Sequence, residues 1–526
     1  MSTQPIPIQS QKAEIISHDP ATGEELGRAP LNSLEAVAAA VQRARTAQPQ
    51  WANLSFKDRG KVILKARELM LERIDDLGLI VSRETGKPIS EAVAMEIVPT
   101  LDAMYYLAHS AAGLLRPQKI DIGQYGLMGR SSRIVYKAVG VVGIISPWNF
   151  PLATPAEEIV MALVAGNSVV LKPSELTTLT ALKLGDIFRD AGLSDGLLEI
   201  VTGDGSTGAA LIDARVDKIM FTGSVATGKR VAAAAAKHLT PVVLELGGKD
   251  PMIVLEDADI PNAARGAVWG AFANSGQACA SVERCYVHEA IAPQFLARVL
   301  AETQTLKQGP GSEADTDIGA MTNERQLQIV EEHVADAVKR GAKVVSGGKG
   351  AANSTGYFYP PTVLTNVDHK MIVMRDETFG PVLPVMTFKT EEEAVRLAND
   401  SVFGLTASVW TRNIARGRRI AEQIAAGTVM VNEVLYTHGI AQTPWGGIKE
   451  SGYGRTHGRA GLLELVNPHH IHINRFSSLP DLWWFRYDHS AGELFRGLAK
   501  HFTTGSILRT TRLLPAMLRR LLKLRQ

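Results

Sequence analysis

Short runs of β-branched and other apolar residues alternate with helix-like patterns along much of this chain, and glycine or proline residues separate them. In the first half, apolar runs at 139–145, 168–171 and 198–202 enclose helical patterns at 156–165 and 179–191. Strands and helices in this order, joined by short turns, are typical of βαβ units. The sequence therefore predicts an α/β fold that contains a largely parallel sheet.

A second α/β series follows residue 279. Helical patterns near 292–307, 324–341 and 391–399 surround a short strand at 343–346. A chain of 526 residues is long enough for several domains. We interpret the second series as a separate domain, and the alternative is a continuation of one large domain.

Two further segments stand outside these series. Residues 120–137 alternate polar and apolar side chains around glycines, as a hairpin does, and residues 468–475 form a short strand pattern. Such strands either pair at a subunit interface or pack on their own domain. The residues alone leave both arrangements open.

Charge and cysteine content limit the classes of protein to which the chain can belong. Its 56 lysines and arginines balance 54 acidic residues, so the net charge of +2 gives no reason to predict nucleic-acid binding. Two cysteines cannot form a disulfide framework in a chain of this length, which indicates a reducing, cytoplasmic compartment. Residues 1–17 show no secretory signal, and no apolar run is long enough to cross a membrane.

A cysteine and a glutamate carry the chemistry that the sequence suggests. Cys279 follows a run of small residues, and Glu245 precedes it by 34 positions. A thiol that attacks a carbonyl and a carboxylate that activates water can form and then hydrolyse a thioester. We expect Cys279 at a loop-to-helix junction, where helix-end amides would lower its pKa. A buried, inert thiol is the alternative, and it is the preferred interpretation of Cys285.

No metal site is predicted. Cys279 and Cys285 are six positions apart without neighbouring histidines, which does not match a set of zinc ligands. His469 and His470 are adjacent, so they fall on alternate faces of the predicted strand.

Asn149 lies in a stiff segment that follows the first predicted strand. Two prolines, at 147 and 151, restrict the backbone on either side of it. A rigidly held amide can direct its N–H group at developing negative charge, so Asn149 is a candidate oxyanion donor. The alternative is a buried turn in which the asparagine satisfies the local backbone.

Three segments have the form of nucleotide-binding elements. The turn at 221–229 joins a strand to a helix, where Ser224 and free backbone N–H groups suit an anion. The glycine pattern at 203–208 is the weaker candidate, because such turns also serve close packing. Lys172 and Glu175 follow a predicted strand and suit the hydroxyl groups of a ribose, although such residues also begin helices.

Seven short motifs, in this order, resemble those of the aldehyde dehydrogenase superfamily. The likeness runs from about residue 16 to about residue 474. The motifs are Pro147-Trp148-Asn149-Phe150-Pro151, Lys172-Pro173-Ser174-Glu175, Phe221-Thr222-Gly223-Ser224, Glu245-Leu246-Gly247-Gly248-Lys249, Gly276-Gln277-Ala278-Cys279, Glu377-Thr378-Phe379-Gly380-Pro381 and Pro444-Trp445-Gly446-Gly447-Ile448-Lys449. Each motif is short, but their joint order is specific.

The resemblance implies the oxidation of an aldehyde to a carboxylic acid. Cys279 would be the nucleophile that forms a thiohemiacetal and then a thioester. The side-chain amide of Asn149 and the backbone N–H of Cys279 would hold the oxyanion. Glu245 would be the general base for the water that releases the acid.

The resemblance also implies a nicotinamide cofactor. Its contacts would come from Trp148, Lys172, Glu175, Gly223, Ser224, Glu377 and Phe379. Lys172 and Glu175 would hold the adenosine ribose, and Ser224 the pyrophosphate. Glu377 would hold the nicotinamide ribose, with Phe379 near the ring. A carboxylate beside the ribose hydroxyls repels an added phosphate, so NAD is favoured and NADP is the alternative.

The resemblance divides the chain into four parts. These are a Rossmann-like cofactor domain (1–117 and 138–245), an α/β catalytic domain (246–445), oligomerisation strands (118–137 and 465–475) and a basic, amphipathic C-terminal extension (476–526). The strands would join subunits into a homodimer or a homotetramer. Typical members of the superfamily lack the extension.

The extension therefore needs a separate explanation. From Leu494 to the C-terminus it has eight basic and no acidic residues. Leucines and a methionine within 514–522 form an apolar stripe on a predicted helix, and Trp483, Trp484 and Phe485 precede it. Such a helix suits an anionic membrane, which would place the protein on the inner membrane surface. Packing on a neighbouring subunit or at the substrate entrance, and disorder, are the alternatives.

The substrate is predicted from the positions that follow Asn149. Ala153, Thr154 and Glu157 are small or polar, and no arginine there suggests a carboxylated substrate. A tunnel without bulky walls, together with the amphipathic tail, favours long apolar aldehydes of the fatty or terpenoid class. The tail also resembles, more weakly, the diapolycopene-dialdehyde branch of the superfamily. The alternatives are a small aldehyde or semialdehyde substrate, a CoA-acylating enzyme and a catalytically silent relative.

Overall fold

The computed structural model describes residues 14–350 and 356–525 of the chain. These residues divide into two compact units. One contains residues 14–114 and 138–466, without 351–355, and the other contains residues 115–137 and 467–525. The first unit holds two large sheets, and the second holds a small sheet and the C-terminal extension.

The strands are short, as the sequence patterns predicted. In the described residues they are β1 (Glu14–His18), β2 (Glu25–Pro30), β3 (Gln118–Ile120), β4 (Arg130–Ala138), β5 (Val141–Ile145), β6 (Ser168–Lys172), β7 (Leu198–Ile200), β8 (Lys218–Thr222), β9 (Val242–Glu245), β10 (Asp250–Val254), β11 (Val282–His288), β12 (Lys343–Ser346), β13 (Thr362–Thr365), β14 (Val382–Phe388), β15 (Thr406–Trp410), β16 (Thr428–Val431), β17 (Gly452–Tyr453) and β18 (Val466–Asn474). Residues 14–18 and 25–30 pair with each other outside the large sheets.

Polar side chains cap many of the helices, as Ser33 does by accepting from the backbone N–H of Ala36 at 3.2 Å. The helices are α1 (Leu34–Asn53), α2 (Phe56–Glu72), α3 (Ile74–Thr85), α4 (Ile89–Glu91), α5 (Val98–Leu114), α6 (Ala153–Ala165), α7 (Thr178–Asp190), α8 (Gly205–Asp213), α9 (Val225–Ala236), α10 (Ile260–Phe272), α11 (Ala292–Thr305), α12 (Glu324–Lys339), α13 (Ile372–Arg375), α14 (Glu391–Asn399), α15 (Ile414–Ala421), α16 (Gly458–Glu464), α17 (His489–His501), α18 (Ile507–Thr511) and α19 (Leu514–Arg525). Between about residues 34 and 112 apolar positions recur at helical spacing, and α1 through α5 occupy this part of the chain.

One large sheet of the first unit has, in the described residues, the strand order β17-β9-β8-β5-β6-β7. Its neighbouring pairs are parallel except for β17 with β9. β5 and β6 are buried along their whole length, as in a parallel sheet covered on both faces. α6 is buried along its whole length as well, and it ends where Gly166 adopts a φ of 95°. The predicted α/β fold class is confirmed.

The other large sheet has, within the same described residues, the order β12-β13-β14-β11-β10-β15-β16. Its pairs are parallel apart from β12 with β13. Ile253 and Tyr286 belong to one buried cluster and Met252 and Cys285 to another, because successive side chains of a strand point to opposite faces. Cys285 is therefore a core residue.

The second unit contains a sheet of order β18-β4-β3. Ile120 of β3 lies opposite Ser132 of β4, and a 3-10 turn at Gly123–Met128 lies between the two strands. The segments at 120–137 and 468–475 thus contribute strands to one sheet.

The extension packs on the hairpin connection of the same unit. The side-chain amide of Gln124 donates to the carbonyl oxygen of Phe502 at 2.6 Å, and the ring of Tyr125 packs edge-on against that of Phe502. The buried apolar cluster beneath these contacts is formed by Leu482, Leu494, Leu498, Phe502 and Leu513, with Met128 packed against it. The extension is a folded part of this unit.

The apolar stripe predicted in the extension is divided between two faces of α19. Met517 and Leu521 pack on the buried cluster, whereas Leu514, Leu518 and Leu522 are exposed. The stripe therefore does not face a single partner.

Arg520 does not lie on an exposed basic face of α19. It is buried and donates to the carbonyl oxygen of Trp484 at 2.6 Å. Lys523 remains exposed and pairs with Asp488, which caps α17, at 2.9 Å. None of the described helices is long and apolar enough to span a membrane.

Candidate active site

A cavity of about 780 Å³ lies in the first unit, where the carboxyl ends of β5, β8 and β9 approach the amino ends of β11 and β14. This volume is typical of a small-molecule site. The predicted residues that line it are Trp148, Asn149, Gly223, Ser224, Glu245, Cys279, Glu377 and Phe379. Lys172 and Glu175 are not among the described residues that line it.

Cys279 follows a strongly bent loop. Asn274, Ser275 and Gly276 adopt φ values of 53°, 54° and 71°, a left-handed run that costs energy for residues with a Cβ atom. A Cβ atom on Gly276 would lie 2.1 Å from the carbonyl oxygen of Gly380, so a side chain does not fit there. The loop leads into β11, and the predicted loop-to-helix junction at Cys279 is wrong.

Hydrogen bonds fix this loop to three other segments. The backbone N–H of Asn274 donates to the carboxylate of Glu91 at 2.9 Å. Its side-chain amide donates to the carbonyl oxygens of Asn149 and Gln277, at 3.1 and 3.0 Å. The side-chain oxygen of Gln277 accepts from the backbone N–H of Thr322 at 3.0 Å. These bonds hold the loop before Cys279 in its strained conformation.

The thiol of Cys279 is partly buried and lines the cavity. Burial raises the pKa of Cys279 above its usual range, and the carboxylates of Asp250, Glu377 and Glu245 raise it further. The backbone N–H of Ala280 donates a hydrogen bond to the sulfur, which lowers the pKa of Cys279 in part. The predicted lowering of the pKa by helix-end amides is therefore wrong, and the thiol needs a base to take its proton.

Asn149 is anchored beside the loop that precedes Cys279. Its side-chain N–H donates to the carbonyl oxygen of Gln277 at 3.0 Å, two residues before Cys279. The side chain is 6% exposed. A primary amide has two N–H donors, so this bond fixes the amide plane while a second donor remains for a ligand.

A buried ion pair supports the backbone around Asn149. Lys87 and Glu96 meet at 2.6 Å, and neither side chain is exposed. The ammonium group of Lys87 also donates to the carbonyl oxygen of Asn149 at 2.7 Å. Glu96 accepts from the backbone N–H groups of Leu152 and Ala153, at 2.8 and 3.1 Å. No sequence motif indicates this pair, because Lys87 and Glu96 lie in a helical region outside the seven motifs.

We expect Glu96→Gln to lower the free energy of unfolding by about 3 to 5 kcal/mol, because it leaves Lys87 as a buried charge without its partner. Urea unfolding followed by circular dichroism measures the change. The control is Lys61→Gln, which removes an exposed pair with Asp58 and should leave the curve nearly unchanged. Equal unfolding curves for Glu96→Gln and the parent chain would contradict the supporting role of the pair.

Glu245 ends β9 and faces the cavity. Both of its carboxylate oxygens are buried without a hydrogen-bond partner among the described residues. Burial raises the pKa of Glu245 well above its usual range, the charge of Glu158 raises it further, and Arg455 lowers it. A carboxylate in these surroundings is a strong base once ionised, and it suits proton transfer from a thiol or a water.

Glu158 is a cavity residue that the sequence analysis did not single out. It lies in α6, one turn after Thr154, and one of its oxygens is buried without a partner in the described structure. Burial and the charge of Glu157 raise the pKa of Glu158 to about 8. Residues four positions apart lie on the same face of a helix, so Glu158 could have been predicted from its spacing to Thr154. Of the predicted substrate-facing positions, Thr154 and Glu157 line the cavity and Ala153 does not.

The cavity walls are bulkier than predicted. Trp269, Tyr436 and Trp445 line them, beside Met95 and Met161. The prediction of a tunnel without bulky walls is wrong, because these side chains come from segments distant from Asn149 in sequence. Among the described residues that line the cavity, none is a lysine or an arginine.

The turn at 221–229 fits a pyrophosphate group. Ser224 caps α9 by accepting from the backbone N–H of Thr227 at 3.4 Å, and the hydroxyl of Thr222 is buried without a partner among the described residues. Across the cavity wall, a Cβ atom on Gly247 would lie 2.3 Å from the carboxylate of Glu377. The absent side chain lets the Glu377 carboxylate approach the backbone closely. The free hydroxyl of Thr222 and the N-terminus of α9 fit the phosphates of a dinucleotide.

The remaining cofactor candidates occupy two places. Phe379 packs edge-on against Trp148 in the cavity, with ring centroids 5.4 Å apart. Lys172 and Glu175 form an ion pair of 3.3 Å at the end of β6. At the competing turn, the side chain of Asp204 caps α8 and places negative charge where a phosphate would bind. This supports the choice of the 221–229 turn.

The profile of one protein family extends over most of the sequence. The profile described as "Aldehyde dehydrogenase family" matches residues 8–471. This chain belongs to the aldehyde dehydrogenase family. The resemblance that rested on seven short motifs is thereby confirmed.

Named relatives of this aldehyde dehydrogenase differ in substrate. It is 41% identical to the 4,4'-diapolycopene aldehyde oxidase of Methylomonas sp., over 92% of this chain and 90% of that protein. It is 39% identical to a protein of Mycobacterium ulcerans provisionally named succinate-semialdehyde dehydrogenase (NADP+) 2, over 88% of this chain and 90% of that protein. The weaker resemblance to the diapolycopene branch is confirmed as a similarity of sequence.

Solved structures agree with the fold. The crystal structure of the NAD-dependent aldehyde dehydrogenase from Sinorhizobium meliloti matches with a TM-score of 0.86 and 37% identity, over 90% of this chain and 93% of that one. The predicted aldehyde dehydrogenase fold is confirmed. This dehydrogenase is therefore an oxidoreductase that uses a nicotinamide cofactor, NAD or NADP. Of the two relatives above whose names include a cofactor, one is named for NAD and the other for NADP.

Proposed function

We propose that this dehydrogenase oxidises long apolar aldehydes to carboxylic acids through a thioester on Cys279. The observation that carries the proposal is the joint position of Cys279, Glu245 and Asn149 in the lining of one cavity that also contains the pyrophosphate turn. These groups supply a nucleophile, a base and an oxyanion donor within one space.

The reaction begins at the thiol. Glu245 accepts the proton of Cys279, because the described structure offers its carboxylate no other hydrogen-bond partner. The thiolate then attacks the carbonyl carbon of the aldehyde. The side-chain amide of Asn149 and the backbone N–H of Cys279 bind the oxygen as it becomes negative, without reorganisation.

The same cavity contains residues that would hold the cofactor. Ser224 and Gly223 would hold its pyrophosphate, Glu377 its nicotinamide ribose, and Trp148 and Phe379 would bound the space for its ring. Lys172 and Glu175 would bind the adenosine ribose at the end of β6. The bound cofactor would supply a hydride acceptor for the substrate carbon, which would leave Cys279 as a thioester.

Hydrolysis completes the cycle. Glu245 first releases to solvent the proton that it took from Cys279, and then takes a proton from water. The resulting hydroxide attacks the thioester, and the Cys279 thiolate leaves as the carboxylic acid forms. A CoA-acylating enzyme transfers the acyl group to a thiol and needs no water-activating base. The unpartnered carboxylate of Glu245 therefore favours the acid as the product.

Cavity charge favours an uncharged substrate. Glu157, Glu158 and Glu245 line the cavity, and its described lining includes no lysine or arginine. A carboxylated semialdehyde would bring a negative charge among these carboxyl groups without a basic partner. Met95, Met161 and the aromatic walls instead suit an apolar chain.

We expect kcat/KM to rise about fourfold per methylene along a series of linear aldehydes until the cavity is filled, since each buried methylene contributes about 0.8 kcal/mol. NADH formation and acid release are measured from acetaldehyde to decanal, with succinic semialdehyde as the charged comparison. Equal or faster turnover of acetaldehyde or succinic semialdehyde would overturn the substrate class. The same series with NADP tests the preference for NAD that the Glu175 carboxylate supports.

We infer that the sheet of the second unit joins two copies of the chain into a homodimer, or pairs of dimers into a tetramer. β18 is an outer strand of that sheet, and most of its residues are exposed. An exposed outer strand has free N–H and carbonyl groups that pair readily with another chain. Light scattering that finds only monomers at micromolar concentration would refute this assembly.

We also propose that the extension contacts an anionic membrane from the cytoplasmic side. Leu514, Leu518 and Leu522 form one exposed row on α19, beside exposed Lys523 and a short distance along the chain from Arg512. An apolar row with basic neighbours binds anionic lipid surfaces. We expect co-sedimentation with phosphatidylglycerol vesicles that is lost when the three leucines become serine. Equal sedimentation of both chains would contradict this contact.

A further inference from the structure

Two histidines and a glutamate meet in the wall of the cavity, and none of them has a part in the reaction described above. Glu157 lies in α6, His438 in the 3-10 turn Tyr436–Gly439, and His457 just before α16. Each offers one ligand atom, and these atoms all lie within 4.8 Å of one another. Three segments distant in sequence thus place nitrogen and oxygen ligands at one point.

The contacts within this cluster leave ligand positions open. The ring of His457 hydrogen-bonds through Nε2 to the carboxylate of Glu157. Its Nδ1 atom is buried without a partner among the described residues, and the side chain is 3% exposed. The rings of His438 and His457 are perpendicular, with centroids 5.0 Å apart, so the two imidazoles are in contact at this point.

The backbone of His457 is held in an unusual conformation. Its φ of 60° and ψ of 161° fall in a region that glycine adopts and other residues avoid. Strain of this kind persists where the surrounding structure requires the position of the side chain. The structure therefore holds the imidazole of His457 at this point despite the energy cost of the backbone conformation.

The charge around the cluster is suited to a cation. Glu157, Glu158 and Glu245 are each buried to at least 94% and line the same cavity. Three of their oxygens have no hydrogen-bond partner among the described residues. A positive ion at the cluster would compensate carboxylates that the described lining does not pair with lysine or arginine.

We propose that Glu157, His438 and His457 form a site for one divalent transition-metal ion of the zinc class. Two imidazoles and a carboxylate are a ligand set that zinc uses. The nitrogen donors disfavour magnesium and calcium, which take oxygen ligands. The ligand positions are separate from Cys279, so the site goes beyond the aldehyde oxidation proposed above.

Zinc binding by a chain with Cys279→Ala tests the site, because this change removes the cavity thiol as a competing ligand. The protein is stripped with EDTA, desalted and titrated with Zn²⁺ in equilibrium dialysis. We expect one bound zinc per chain, and an affinity that falls by at least about tenfold in His438→Ala and in Glu157→Gln. Bound Co²⁺ should give visible absorption bands that disappear in the same variants.

His109→Ala is the matched control, because His109 is exposed on α5 and is not among the described residues that line the cavity, and it should leave zinc affinity unchanged. Circular dichroism establishes that each variant is folded. His438 is only partly buried, so we expect His438→Ala to stay folded. Its zinc affinity can then be interpreted even if a change at Glu157 unfolds the chain. Absence of stoichiometric binding, or equal affinity in the His438→Ala and control chains, would overturn the site. Neither zinc binding nor Co²⁺ absorption depends on aldehyde turnover. The zinc site therefore remains testable even if the chain does not oxidise long apolar aldehydes.

Discussion

Replacing Cys279 by alanine should lower aldehyde-dependent NADH formation by about 10⁴-fold or more, because no other group in the cavity can form the thioester. The side chain is small and lines the cavity, so the fold and the binding of NAD should persist. Steady-state NADH absorbance measures the rate, and titration of protein fluorescence with NAD measures the binding.

Cys285→Ala is the control for this change. Cys285 is the other cysteine of the chain, and it is fully buried in the seven-stranded sheet. Its replacement leaves a small cavity in the core and should lower stability slightly while kcat stays near the parent value. If the Cys279→Ala chain retained the parent rate, or if Cys285→Ala lost it, the assignment of the nucleophile would be wrong.

Glu245→Gln should slow both halves of the reaction. A glutamine cannot take a proton from the thiol or from water, so the steady-state rate should fall by about 10² to 10⁴-fold. Rapid mixing should show no burst of NADH in the first turnover, because the thiol keeps its proton. A burst of one NADH per chain, with the acyl group found by mass spectrometry on the peptide that contains Cys279, would contradict the role of Glu245 at the thiol.

The pH dependence of the parent enzyme should reflect the same carboxyl group. Burial holds the pKa of Glu245 well above its usual range, and hydrolysis needs the ionised form. The rate should therefore increase with pH well above the range in which an ordinary glutamate titrates, and Glu245→Gln should remove this increase. Glu450→Gln is the control, because Glu450 is exposed and pairs with Lys229 at 2.9 Å. A parent profile that is flat from pH 5 to 9 would contradict the role of Glu245.

Local sequence patterns predicted the elements that carry the site. The apolar run at 168–171 corresponds to β6, and the helical pattern at 324–341 corresponds to α12. These patterns are reliable because strand and helix periods depend on neighbouring residues only. The order of seven motifs then identified the family, which the alternation of strands and helices alone could not do.

Features that depend on distant contacts were not predictable in this way. The left-handed run before Cys279 exists because Gly276 packs against Gly380, more than a hundred positions later. The pKa of Cys279 depends on carboxylates from other strands, and so the local argument for a lowered pKa failed. The pairing of Glu157 with His457 joins residues 300 positions apart, and neither residue has a motif around it.

The packing of the extension limits how this chain can be shortened. A chain that ended at Arg475 would lose Leu482, Leu494 and Leu498, which cover Met128 and the connection between β3 and β4. The uncovered apolar surface would favour aggregation during expression, whatever the state of the catalytic residues. A comparison of the shortened chain with the 526-residue chain would then measure a difference in solubility and not a difference in catalysis. Substitutions confined to the exposed leucines avoid this difficulty, because they leave the internal face of the extension intact.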